Sequence, residues 1–236
     1  MEFGYEPTVT ITPREIEDLF VTDPELSPAQ ESILWNTYLD KSDAIRFEKV
    51  RRYEGMFTAF ENIKRWSTIP PSSEYFQQFV RSSMDMCRIL GTDVNPNQAM
   101  EMYLHSFIVI LETQVAFSEK YTDIENILSR KRFAYALEIR SANNTDIPFE
   151  ERFTLDDVQD YLNSLITAIA SFNRSLSRFN VIKGEKAGLE DMASKCVVQG
   201  CDMIIACYDR IKIKHAIEIA HYQGLCDALG VVILTN

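Results

Sequence analysis

Apolar positions recur at three- and four-residue intervals over most of this chain, the spacing that lines one face of an α-helix. Starts of the predicted helices carry a capping residue, with Glu, Gln or Asp three positions on. These are Thr12-Pro13-Arg14-Glu15, Ser27-Pro28-Ala29-Gln30, Asn95-Pro96-Asn97-Gln98, Thr122-Asp123-Ile124-Glu125 and Thr154-Leu155-Asp156-Asp157. Each cap side chain accepts from an orphan N–H of the first turn, and the returning side chain satisfies the cap's own N–H. Further helices are expected over residues 42–66, interrupted near Gly55, over 73–90, stopped by Gly91, and over 186–224, before Gly224. Pro70 and Pro71 punctuate the first half.

The last of these helices carries the clearest pattern. Val197, Cys201, Ile204, Tyr208, Ile211, His215, Ile219 and Tyr222 fall on one stripe, and Ala206, Ile213, Ile217 and Ala220 on the opposite side. A helix apolar on two faces is expected at the centre of a bundle, with helices over 96–118, 123–142 and 155–180 around it. Two segments depart from helical spacing, Thr8-Val9-Thr10-Ile11-Thr12 and Val231-Val232-Ile233-Leu234-Thr235. Both are β-prone and too short to stand alone, so they pair either with each other or with a neighbouring copy by strand addition. Asn143 to Arg152 reads as a long exposed loop. The expected fold is therefore mostly α, a multi-helix bundle with a central C-terminal helix and short β-prone segments at both termini. The organisation is an N-terminal arm over 1–26, a helical domain over 27–230, divisible into 27–91 and 95–230, and a tail over 231–236.

Composition narrows the class. The chain has 236 residues, 46% hydrophobic and 25% charged, with 8 Gly and 8 Pro. Disordered, collagenous and loop-rich all-β classes do not fit that balance. The apolar runs Phe107–Leu111 and Met203–Tyr208 are far short of the ~20 residues that cross a bilayer. No membrane insertion is predicted. Glu2 and Glu6 stand where a secretory or transit signal would carry bases, which predicts a cytoplasmic or nuclear protein. Cys87, Cys196, Cys201, Cys207 and Cys226 form an odd, scattered set, read as reduced, mostly buried thiols. No Cys-x-x-Cys is present, and about 16 Å of helix separates Cys196 from Cys207, which leaves no zinc site.

The formal charge of −11 is unevenly spread. Residues 1–40 hold nine acids and one base, Arg14, so the rest of the chain carries only −3. That remainder contains basic clusters at Arg46, Lys49, Arg51 and Arg52, at Arg130, Lys131 and Arg132, and at Arg174, Arg178, Lys183 and Lys186. Aromatic residues interleave with the first two: Phe47, Tyr53, Phe57, Phe60 and Trp66, then Phe133 and Tyr135. Bases stack on such rings while cations hold the backbone, which suits single-stranded nucleic acid. The plainer reading is solvated helix faces with ion pairs such as Glu48 with Arg52, and core positions at Val50, Met56, Phe57 and Phe60.

Two catalytic or metal-binding patterns stand beside that reading. Arg210-Ile211-Lys212-Ile213-Lys214-His215 resembles the Arg-x4-His motif of HEPN ribonucleases, helical bundles with the motif near their C-terminus. The resemblance covers six residues and implies a helical ribonuclease in which Arg210 and His215 act on an RNA 2′-hydroxyl and phosphate. On a continuous helix, however, positions five apart diverge by about 140°. His215 also sits in the apolar stripe, where a core histidine is the alternative reading. The second pattern is Glu at helical spacing from His: Glu101 with His105 and Glu112, and Glu218 with His221. Carboxylate-bridged metal bundles use Glu-x-x-His on two helices, and only Glu218-Ile219-Ala220-His221 fits. No glycine-rich phosphate loop, nucleophile elbow or His-Glu-x-x-His is found, and no cofactor is predicted.

The leading expectation is a non-enzymatic helical interaction and assembly protein, a homo-oligomer joined through its terminal arms. A specific form packages RNA or single-stranded DNA on the basic clusters, in a nucleocapsid-like manner. The HEPN-like ribonuclease is the alternative, and a metal-binding helical bundle the second alternative.

Overall fold

The computed structural model describes the backbone of residues 28–141 and 155–228, and the side chains of 44–130 and 157–228. The acidic arm, both β-prone segments, the 143–152 loop, the caps Thr12, Ser27 and Thr154, and the side chains of Lys131 and Arg132 lie outside these residues. Among the described residues there are five helices and no strand: α1 Pro28–Trp66, α2 Glu74–Ile89, α3 Pro96–Ser141, α4 Leu155–Lys186 and α5 Met192–Ala228. The mostly α expectation holds.

Several helix ends follow from the residues that mark them. The Gln98 N–H donates to Asn95 Oδ1 at 3.0 Å and the Asn95 N–H donates to Gln98 Oε1 at 2.9 Å, a reciprocal cap ahead of Pro96. Ser73 Oγ accepts from the Phe76 N–H at 3.2 Å and starts α2. Gly91, at φ 77, ends it, because a left-handed residue after the last turn costs least without a Cβ. Gly188, at φ 85, does the same after α4, and Asp191 then accepts the Ser194 N–H at 2.8 Å to open α5.

Four expected boundaries do not occur. The separate start near residue 42 is absent, because α1 runs unbroken from Pro28 to Trp66. The Thr122 start is absent, because Thr122 Oγ1 donates back to the Ser118 carbonyl at 2.8 Å and α3 runs on through it. Tyr121, Ile124 and Leu128 are buried around that point, and their burial favours continuing the helix. Gly55 does not interrupt α1. A Cβ there would lie 2.9 Å from Gln114 Cδ, so the glycine serves close approach of α1 and α3. Gly224 does not end α5, which continues four residues beyond it.

Contacts divide the chain into two compact units. The first takes residues 28–51, 118–141, 155–170 and 211–228 among those described. Its core includes Ile45, Ile124, Leu128 and Ile211, with Val158, Tyr161, Leu162, Leu165, Tyr222 and Cys226 as one cluster. The Tyr161 and Tyr222 rings meet edge to face at 5.4 Å. The second unit takes 52–117 and 171–210. Trp66, 5% exposed, anchors an aromatic group with Phe79 at 4.3 Å and Tyr103 at 5.6 Å, so it is core and not a stacking platform. Tyr53, Phe172, Tyr208, Phe179 and Phe60 form a second aromatic group. Of the expected core positions, Met56 and Phe60 are buried. Val50 lies at the surface, and Phe57 is partly exposed while stacked on Phe179.

Most of the first stripe of α5 is buried: Val197, Cys201, Ile204, Ile211 and His215 are 0% exposed, with Tyr208 and Tyr222 close behind and Ile219 partly buried. The second is not. Among the described residues Ile213 and Ile217 are 61% and 55% exposed, so the second apolar stripe is not buried at these two positions as the expectation of a surrounded helix requires. Four of the five cysteines are buried and all are free. Burial pushes the Cys201 thiol up to about 11, which keeps it protonated and inert.

Candidate functional site

The first unit contains a cavity of about 580 Å³ to which all four of its helical segments contribute. On α4, Asp157, Asp160, Tyr161, Ser164 and Ala168 stand at helical spacing and form one wall. Arg46 and Lys49, one turn apart on α1, supply cations. Glu125 and Ser129 come from α3, and His215 from the buried stripe of α5.

Charge in the cavity is arranged around Glu125. Lys49 Nζ donates to Glu125 Oε2 at 2.5 Å, and Arg46 Nε stands 3.7 Å from Oε1. Lys49 and Glu125 are mostly buried, whereas the Arg46 side chain is 56% exposed. His215 is fully buried, and its pKa is lowered to about 4, chiefly by burial. The Lys49 ammonium pushes in the same direction and Glu125 opposes it, so the imidazole is neutral at physiological pH. Burial also raises the Tyr161 phenol, which stays protonated and donates to Asn126 Oδ1 at 3.2 Å. Below it, Glu218, 3% exposed, takes a two-point contact from Arg130, with Nε to Oε2 at 3.0 Å and Nη2 to Oε1.

The sequence-predicted site residues fall as follows. Arg210 is exposed and His215 is fully buried, on one uninterrupted helix, and the helix does not bring them together. Glu101, His105 and Glu112 are exposed, Glu218 is committed to Arg130, and His221 is exposed with its ring edge on Tyr222. Among the described residues, no group of three or more His, Cys, Asp or Glu is placed to hold a metal ion. Of the basic clusters, Lys49 and Arg46 face Glu125, Arg51 pairs with Glu48 at 2.9 Å, and Arg52 lies over the Phe117 ring at 4.5 Å. Arg130 holds Glu218, Lys183 pairs with Asp202 at 2.6 Å, and Arg174 and Arg178 are exposed.

Sequence reasoning found Arg46, Lys49 and His215 but missed the residues that face them, Glu125, Ser129, Asp157, Asp160, Tyr161 and Ser164. The available signal was on α4, where carboxylates, a tyrosine and a serine stand at helical spacing beside the core Leu165. No helix of the described residues is long and apolar enough to cross a membrane. Comparison with known proteins gives no match: no family model, no curated protein and no solved structure resembles the chain.

Proposed function

We propose that this chain is a non-enzymatic helical interaction and assembly protein that associates with copies of itself, its terminal segments engaging the neighbour. The observation that carries the reading is the bare apolar side of α5. Ile213 and Ile217, one turn apart on α5, are both more than half exposed, and Lys214 on the same helix pairs with Asp123 of α3 at 2.7 Å. Isoleucines grouped in this way gain by being covered, at about 25 cal/mol per Å² of apolar surface removed from water. In this reading the apolar Val231–Leu234 segment, which lies outside the described residues, covers the isoleucines of a neighbouring copy.

In the packaging form of this reading, nucleic acid would meet Arg174 and Arg178 in preference to Lys49, Arg52 and Arg130, whose charges already have partners. The test is the absolute mass of the purified chain by light scattering, with its 260 to 280 nm absorbance ratio, at low and high salt. Self-association predicts a mass above one chain. Packaging adds a high absorbance ratio that falls with salt, because phosphate contacts yield to counterions. A monomer at every salt concentration overturns the reading.

A further inference from the structure

We propose that the cavity of the first unit is a binding site for a small zwitterion, a molecule of amino-acid size carrying one ammonium and one carboxylate group. This goes beyond the assembly reading and does not depend on it. About 580 Å³ lies within the range of small-molecule sites. The walls carry both signs of charge on different helices, the Arg46 guanidinium and Lys49 ammonium on α1 and the carboxylates of Asp157 and Asp160 on α4.

Each sign excludes a simpler ligand. A phosphate or dicarboxylate would meet the α4 carboxylates, and a plain amine would face the α1 cations with nothing to offer them. A zwitterion satisfies both walls. Its carboxylate meets Arg46, whose 3.7 Å contact with Glu125 is too long to be a hydrogen bond and leaves the planar fork able to take a second carboxylate. Its ammonium meets Asp160, which is exposed. Lys49 is less suited to the ligand because its ammonium is already held by Glu125 at 2.5 Å. Ser164 gives its proton to the Tyr161 carbonyl at 2.7 Å and keeps its lone pairs for a donor on the ligand. The buried imidazole of His215 is part of the same lining and adds no charge to it.

The experiment is calorimetric titration of the full chain with the proteinogenic amino acids, with propionate and propylamine as carriers of one charge each. At least one amino acid is expected to bind saturably, and both single-charge compounds to bind roughly tenfold more weakly or worse, since each lacks one charge-assisted contact. Arg46→Gln and Asp160→Asn, both at exposed positions, are each expected to weaken binding by roughly tenfold while the helical circular dichroism stays unchanged. Failure of every amino acid to saturate overturns the proposal. So does binding that survives both substitutions, and so does propylamine binding as tightly as the amino acids, which would mark a cation site.

Discussion

His215 shows how one residue's surroundings fix its chemistry. A fully buried imidazole with Lys49 nearby holds its neutral form, so its pKa falls to about 4 from an ordinary 6.5. The unfolded chain takes up a proton at His215 below about pH 6.5, while the folded chain resists until about pH 4. Stability is therefore complete above that window and is lost as pH falls through it, by about 3 kcal/mol for this group. Urea unfolding at pH 7 and pH 4.5 tests it: His215→Leu should lose less stability than the parent between the two. Equal losses would mean that His215 does not hold its neutral form. A second prediction concerns Glu218, whose charge is answered by Arg130. Arg130→Ala should cost about 2 kcal/mol by thermal or urea unfolding, because it leaves a buried carboxylate without its cation, and Arg130→Lys should cost less. The burial of His215 was legible in the sequence, since it stands in an unbroken apolar stripe. Its neighbours were not, because Lys49, Glu125 and Tyr161 come from three other helices and no spacing along one element records which faces meet.

At the scale of elements, boundaries were legible where a backbone group had to be satisfied and misleading where packing decided. Asn95 with Gln98 marks a real end because each side chain answers the other's N–H, and Gly91 does because its left-handed φ suits a residue without a Cβ. Thr122 carries the same local signal, yet its hydroxyl turns to Ser118 and buried neighbours hold the helix together. Glycines give the sharpest test of this distinction. A Cβ at Gly200 would stand 3.1 Å from Phe60 and 3.3 Å from Leu111, both buried, whereas one at Gly224 meets open space on the same helix. Gly224→Ala should stabilise the protein by about 0.5–1 kcal/mol through helix propensity alone. Gly200→Ala should destabilise it by about 1 kcal/mol or more despite that gain, since the aromatic and leucine side chains must shift. Melting temperatures that move together would show that α5 does not pack this closely.

For the whole molecule, the important departure from the sequence pattern is the second face of α5. Two apolar stripes on one helix are compatible with a helix at the centre of a bundle, or with one buried face and one face kept for another molecule. Periodicity cannot separate the two, because it reports which residues share a side and not what lies opposite. The exposure of Ile213 and Ile217 favours the second arrangement. Substituting both with Glu should leave helicity nearly unchanged, because the two positions are at the surface of the single chain, while the melting temperature falls with the loss of association. The most direct test of the assembly account is therefore the light-scattering mass of three proteins at one concentration: the parent chain, the Ile213→Glu/Ile217→Glu variant, and the chain shortened to end at Ala228. The account predicts an oligomer for the parent and a lower mass for each of the other two, with all three equally helical. A parent that is already monomeric, or an oligomer whose mass neither change reduces, would contradict it.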